Sequence, residues 1–338
     1  MIVASIPIAA FLASCALTAW LLHSSRVFRL LDQPNPRSSH NTPTPRGGGL
    51  SIVAVTTCGA LLLYATGRIG APVTAALAFG GLSIAAVGFW DDLRSAPIAI
   101  RITVHLGAAV WAVYCLGSGP TIRVGDAIVD LGAFDPLLKV LAIVWILNLF
   151  NFMDGIDGIA GSEAACVLLS AAGLGVFVAH GSLTEVALPL VAGAACLGFL
   201  TWNWPPAAIF MGDVGSGYLG YVIAVIAIHA SQTSAINFFA WLILGGVFFI
   251  DATLTLCRRL LRRERVFQAH RTHAYQWLAR RWGSHSRVTI AVIVINLVWL
   301  LPCAALAVEY PGSAWWICIL SLAPLALGAA LSGSGRPE

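Results

Sequence analysis

Polar and apolar positions alternate along this chain in long blocks. A bilayer's hydrocarbon core of ~30 Å takes roughly 17–25 residues of helix to cross. Apolar runs of about that length fall near 2–22, 48–66, 72–90, 99–117, 135–152, 161–180, 185–202, 215–230, 236–257, 288–308 and 314–332, the 215–230 run being short. The pattern predicts an all-α polytopic membrane protein with about eleven transmembrane helices, forming one integral-membrane domain over residues 1–338. The first basic residue, Arg26, follows the first apolar run, so 2–22 reads as a retained span with its N-terminus outside. Between the fourth and fifth runs, Thr121–Leu131 alternates around Gly125-Asp126 and predicts a short hairpin.

Composition removes the soluble alternative. A length of 338 residues suggests two soluble domains, but the chain is 59% hydrophobic and 10% charged. Its mean hydropathy is +0.86. The net charge of +4 is small, yet its placement orients the chain. Alternating sides from an outside N-terminus puts 23–47, 90–101, 151–161, 201–215, 258–287 and the C-terminus in the cytoplasm. Those segments hold sixteen of the nineteen basic residues, leaving Arg68, Arg123 and Lys139 outside. The positive-inside rule supports that orientation. Eighteen of the nineteen are Arg, clustered in loops, which suits topology and phosphate binding. No soluble basic domain exists to carry nucleic acid. The eight cysteines stand singly with no CxxC pair, so neither zinc nor a disulfide framework is indicated.

Every polar cluster then falls on the cytoplasmic face, and together they predict a cleft there. The densest is Asn148-Leu-Phe-Asn151-Phe-Met-Asp154-Gly-Ile-Asp157-Gly-Ile-Ala-Gly161. Ionisable groups at a membrane boundary mark ion or substrate sites by default. The third run ends in Asp91-Asp92-Leu-Arg94, adjacent carboxylates that repel unless a cation or proton compensates. One of them can cap a helix, but that does not explain both, so the pair points to a metal or general-base role. Arg101 opens the next span, either facing a lipid phosphate or anchoring the interface.

Three further loops complete the set. Arg37, His40 and Arg46 precede the glycine triplet 47–49, whose free backbone N–H groups at a helix start can face an anion. The seventh run passes Asn203 into Pro205-Pro206 and then Phe210-Met-Gly-Asp213-Val-Gly-Ser216. Asp213 reads as a metal carboxylate beside an aromatic platform, an N-cap being the plainer reading. The last large loop carries His270-Arg271-Thr-His273-Ala-Tyr275-Gln276, with donors at short spacing suited to phosphate oxygens. His285 stands alone and reads as structural. His105 and Asp251 lie inside spans with no partner to name.

Taken together, Asp91-Asp92, the NxxNxxDGxDG run from Asn148 to Gly158, and Asn203…Phe210-Met-Gly-Asp213-Val-Gly-Ser216 resemble the polyprenyl-phosphate N-acetylhexosamine-1-phosphate transferases. The resemblance runs from Arg46 to His273. It implies a bacterial inner-membrane enzyme using Mg²⁺, or Mn²⁺, with UDP-sugar as donor and undecaprenyl phosphate as acceptor. A homodimer is compatible with it. Asp91, Asp92, Asp154, Asp157, His270 and His273 are then expected in catalysis, and Asp213 with Asp154 on the metal. Asn148, Asn151, Asn203, Phe210, Arg271, Arg37, His40, Arg46 and Arg101 are expected on substrate, with Phe210 stacking on uracil. Where the peptidoglycan branch has consecutive histidines, this chain has His270-Arg-Thr-His273. That loop looks closer to enzymes that initiate O-antigen or capsule chains. The phospho-MurNAc-pentapeptide transferases are the nearest alternative.

The residue types agree with that chemistry on their own. Phosphoryl transfer needs positioning, cationic donors and a metal with oxygen ligands rather than covalent help. Two other classes share some features. A secondary transporter also buries carboxylates, but near the midplane and in repeated halves, and no internal repeat is visible here. A membrane phosphatase shares acids and metal but needs no lipid acceptor.

Overall fold

A computed structural model describes residues 2–28, 31–32, 43–117, 119, 122–125, 127–233, 236–264 and 270–336. Thirteen helices account for about three quarters of them. They are α1 (Ile2–Phe28), α2 (Gly49–Ala65), α3 (Ala71–Leu93), α4 (Ile98–Leu116), α5 (Asp135–Met153), α6 (Ile159–Phe177) and α7 (Ala187–Asn203). The rest are α8 (Asp213–Thr233), α9 (Phe238–Leu244), α10 (Gly246–Leu261), α11 (Ala274–Trp282), α12 (His285–Glu309) and α13 (Ala314–Ser332). The architecture is that of a polytopic membrane protein.

Among the described residues, eight helices are long and apolar enough to span a bilayer, or nine if α9 and α10 make one span. The other two expected spans are α2 and α7, apolar but only 17 residues long. Two boundaries differ from the sequence expectation. The run expected at 236–257 is two helices meeting at 79°, broken at Gly245. The short run at 215–230 is a 21-residue helix, because the polar stretch from Asp213 is already helical.

The hairpin expected at 121–131 is present. Strands β1 (Ile122–Val124) and β2 (Ala127–Val129) pair antiparallel. A second pairing joins Leu31–Asp32 to Thr44–Pro45.

Helices α6 and α8 form the centre of the bundle, each with 78% of its best spanning window buried. The windows of α1, α12 and α13 are buried only to 17–28%, so those helices form the rim. Tyr218, Tyr221, Phe199 and Phe248 are among the largest fully buried side chains. The start of α2 meets the first turn of α8 at glycine on both sides. A Cβ on Gly49 would lie 2.3 Å from the Gly215 Cα, so any side chain there would force the two helix starts apart. Small residues allow such close backbone approach in membrane bundles.

Candidate functional site

The polar clusters gather at one end of the bundle. This end holds the last turns of α3, α5 and α7 and the first turns of α2, α4 and α8. Asp213 is the first residue of α8, reached through Gly212 at φ +78°. That positive φ suits glycine, and the space is closed as well, since a Cβ there would sit 2.6 Å from a carboxylate oxygen of Asp92.

Asp91 and Asp92 divide into two roles. Asp92 is buried, and its Oδ1 and Oδ2 accept the backbone N–H groups of Asp213 and Val214, each at 3.0 Å. It caps α8 across 121 residues of sequence, satisfying two of the four N–H groups a helix start leaves open. Asp213 therefore does not serve as its own cap. Arg46 adds a hydrogen bond to the Asp92 carbonyl. Asp91, one residue earlier, accepts from the Ala96 N–H at 2.6 Å and from Arg101 at 2.7 Å. Arg101 also lies 3.9 Å from Asp213, so one guanidinium reaches both carboxylates.

From α5, Asn151 donates Nδ2 to Asp213 Oδ1 at 2.9 Å and to Ser216 at 3.2 Å. Asn148 instead donates to the Val144 carbonyl of its own helix. Asp154 ends α5. Burial, and then the charges of Asp92 and Asp157, push its carboxyl up to about 7. Its carboxylate accepts no hydrogen bond among the described residues.

The loop after α5 is held from three sides. Asp157 accepts the Ala207 N–H at 3.2 Å, lies 3.3 Å from His285 Nδ1, and takes a hydrogen bond from Thr289 on its carbonyl. Asn203 is buried; it accepts the Gly158 N–H at 3.1 Å and donates to the Ile209 carbonyl at 2.9 Å. Its amide thus ties the 154–158 loop to the 204–212 loop rather than standing open for a ligand. Phe210 sits half-buried beyond it, with its backbone between Pro45 and Gly48.

The 270–276 segment also departs from expectation. His273 is buried, 1% exposed, and stacked against His270 at 4.9 Å and Phe152 at 6.4 Å. It lies in the interior beside the α5 loop, with Nδ1 3.7 Å from Asp251 Oδ1. His270 is more accessible, but burial, together with His273 and Arg259, lowers its imidazole to about 3. Near neutral pH it carries no charge, so it offers a hydrogen bond and not the cation expected for phosphate oxygens. Arg271 keeps a half-buried place beside them. Arg37 and His40 lie outside the described residues.

Several groups that the sequence left without partners acquire them here. Asp251 accepts from the Ala274 and Tyr275 N–H groups at 2.8 and 3.0 Å, capping α11 as Asp92 caps α8. Tyr275 donates its hydroxyl to the Phe152 carbonyl, which presses α11 onto the α5 loop. Its own hydroxyl is pushed well above the usual range by burial, and next by the charge of Asp251. His285 joins the site through Asp157. Its one visible signal is the Ser284 cap that starts α12, whose side chain accepts the Arg287 N–H. That signal places a helix start but no partner.

Among the described residues, no three His, Cys, Asp or Glu side chains form a ready metal cage. Mg²⁺ does not require one, since it is commonly held by one or two carboxylates plus substrate phosphates. Asp154, which accepts no hydrogen bond, and Asp213, on the capped helix start, fit that half-site in donor type.

The glycosyl transferase family 4 pattern matches residues 74–231. The chain is 30% identical over 275 residues to a probable undecaprenyl-phosphate N-acetylglucosaminyl 1-phosphate transferase of Bacillus subtilis, covering 79% of this chain and 75% of that protein. It is also 30% identical over 293 residues to a phospho-N-acetylmuramoyl-pentapeptide-transferase of Caldicellulosiruptor bescii, covering 81% and 87%. A decaprenyl-phosphate N-acetylglucosaminephosphotransferase of Mycobacterium tuberculosis is 28% identical over 292 residues, covering 77% and 71%.

Proposed function

The chain belongs to glycosyl transferase family 4, and from that premise we propose that it transfers an N-acetylhexosamine-1-phosphate from a UDP-sugar to undecaprenyl phosphate. An oxygen of the lipid phosphate attacks the β-phosphorus of the nucleotide sugar. The bond from that phosphorus to the bridging oxygen breaks, UMP leaves, and a lipid-linked sugar diphosphate remains. The observation that carries this reading is Arg101 reaching both Asp91 and Asp213 at one end of the helices. A lipid acceptor needs its phosphate at the bilayer boundary, and helix ends of apolar spans lie there.

The residues divide the work by position. Arg101 offers N–H groups to a phosphate at the opening of α4. Asp91, held by Arg101 and Ala96, orients that guanidinium and is the candidate to bind or activate the lipid phosphate. Asn151 fixes the Asp213 carboxylate. Asp157, Asn203 and Phe210 shape the nucleoside end, Asn203 by holding two loops together. Asp154 and Asp213 would hold Mg²⁺ or Mn²⁺, which when bound neutralises the diphosphate charge. The acidic end faces the cytoplasm, following the arginine distribution.

The sugar branch rests on the His270–Gln276 loop, because relatives from both branches match at similar identity. That loop supports initiation of an O-antigen or another surface polysaccharide over peptidoglycan synthesis. The test supplies membranes containing the chain with undecaprenyl phosphate and a panel of UDP-N-acetylhexosamines and UDP-MurNAc-pentapeptide, then identifies the lipid product by mass. A lipid-linked N-acetylhexosamine with stoichiometric UMP is expected. Release of UMP without acceptor would place the chain among hydrolases, and a MurNAc-pentapeptide product would overturn the branch.

A further inference from the structure

The opposite end of the bundle has polar features that transfer chemistry at the acidic end does not use. Here the loop between α2 and α3, the last turns of α6 and α8 and the starts of α7 and α9 meet around a cavity of ≈ 220 Å³. Arg68, Glu185, His229 and Trp241 contribute its polar groups, and Ile226 and Ile236 are part of its apolar wall. Because these are the ends of apolar helices, the cavity opens at a membrane boundary, the one away from Asp213.

Three observations make this more than a gap between helix ends. Trp241 is 6% exposed, yet its indole N–H has no acceptor among the described residues. The Arg68 Nε is likewise buried and without a partner, and its guanidinium makes no ion pair among the described residues. Glu185 uses Oε1 on Ser182, at 3.0 Å, and it too makes no ion pair among the described residues. A cation and an anion thus line one cavity without pairing with each other. Buried donors without acceptors are costly, and the arrangement is met by a ligand that brings both charges.

We propose that this cavity binds the headgroup of a membrane phospholipid that carries an ammonium group. The phosphodiester takes the N–H groups of Arg68 and Trp241, the ammonium faces Glu185, and the first acyl carbons lie along the isoleucines. A simple anion satisfies only half of this arrangement, since it would sit beside the Glu185 carboxylate. The inference is independent of the reaction proposed above, because no residue of the acidic end takes part.

Native mass spectrometry of the full chain in mild detergent tests it, with phosphatidylethanolamine, phosphatidylglycerol or inorganic phosphate added. One phosphatidylethanolamine should be retained per chain, in preference to phosphatidylglycerol. Trp241→Phe removes only the N–H and should weaken retention about tenfold, the scale of one hydrogen bond to a charged group. Arg68→Gln should weaken it at least as much, and Glu185→Gln should abolish the preference between the two lipids. Thermal midpoints measured without added lipid identify any variant that has merely unfolded, and Trp241→Phe keeps the ring that packs. Three outcomes overturn the proposal: retention unchanged in Arg68→Gln and Trp241→Phe, equal retention of both lipids by the wild type, or displacement of the lipid by inorganic phosphate. The last would assign the cavity to a free anion, and the first would leave it to water.

Discussion

Asp92→Asn separates a clamp from a reacting group. In the structure both carboxylate oxygens of Asp92 receive backbone N–H groups at 3.0 Å, from the first two residues of α8. The amide replacement keeps one acceptor and turns an NH₂ towards the other N–H, donor against donor. Leaving a buried N–H unsatisfied costs about 1–3 kcal/mol. Losing a negative charge at a helix N-terminus adds about 0.3–1 kcal/mol. The variant should therefore lose about 2–3 kcal/mol, read as a lower unfolding midpoint in detergent by at least about 3 °C. One of the two bonds at stake fixes the Asp213 backbone, so kcat should fall too, on the order of the ~10²-fold that a displacement of about 1 Å costs. Asp91→Asn is the control: it should lower activity with little change in midpoint. If Asp92→Asn kept the wild-type midpoint while abolishing turnover, Asp92 would act on the substrate and the clamp would be the wrong account.

Four further outcomes follow from the same geometry. Asp213→Asn keeps shape but loses charge and should lower kcat at least ~10²-fold and weaken the Mg²⁺ dependence; near-full activity at the same Mg²⁺ optimum would make it structural. Phe210→Ala should raise the UDP-sugar KM more than ~5-fold, since base stacking on an aromatic is worth ~1–3 kcal/mol in nucleic-acid complexes, and an unchanged KM would reassign the ring to packing. His270 is held near 3, below its ordinary 6.5, so a released loop takes up a proton that the docked loop refuses. Docking is at full strength above 6.5 and weakens as pH falls towards 3, and His270→Gln should flatten the acid limb of the midpoint-versus-pH curve. Inside the bundle, Glu163 accepts Asn296 Nδ2 at 2.5 Å, while Glu163 Oε1 and Asn296 Oδ1 are both buried without partners among the described residues. Glu163→Gln supplies a donor between them and should hold or raise the midpoint, whereas Glu163→Ala should cost about 1–3 kcal/mol of stability and lower it.

The spans were legible because a bilayer demands long apolar runs whatever the tertiary contacts. The exceptions are places where a distant group decides. Gly212-Asp213-Val-Gly-Ser-Gly looks like loop from its glycine content, yet it is helix from Asp213 onward because Asp92 supplies the cap. Nothing local in Gly245-Gly246 distinguishes a 79° break from the many glycines that stay within straight spans. The acidic clusters were legible as a set, since carboxylates at membrane boundaries are rare and costly. Their separate roles were not. Asp91 and Asp92 are the same residue type side by side, and only their directions from α3 give one to Arg101 and the other to α8.

The same limit explains the histidines and Asp251. Short spacing in His270-Arg-Thr-His273 suggested two donors turned to one ligand, but spacing says nothing about depth. In the fold, Asp251 reaches from α10 to cap α11, and that contact draws His273 inward against Phe152. Asp92 and Asp251 are thus one device used twice. Each is a buried acid that gives both oxygens to the first two N–H groups of a helix in another part of the chain. Each helix so fixed begins beside the α5 loop, one carrying Asp213 and the other Tyr275. A carboxylate at such a helix start compensates the positive end of its dipole, so neither end needs a ligand to be stable. Asp213 can then keep its own carboxylate for Asn151 and Arg101.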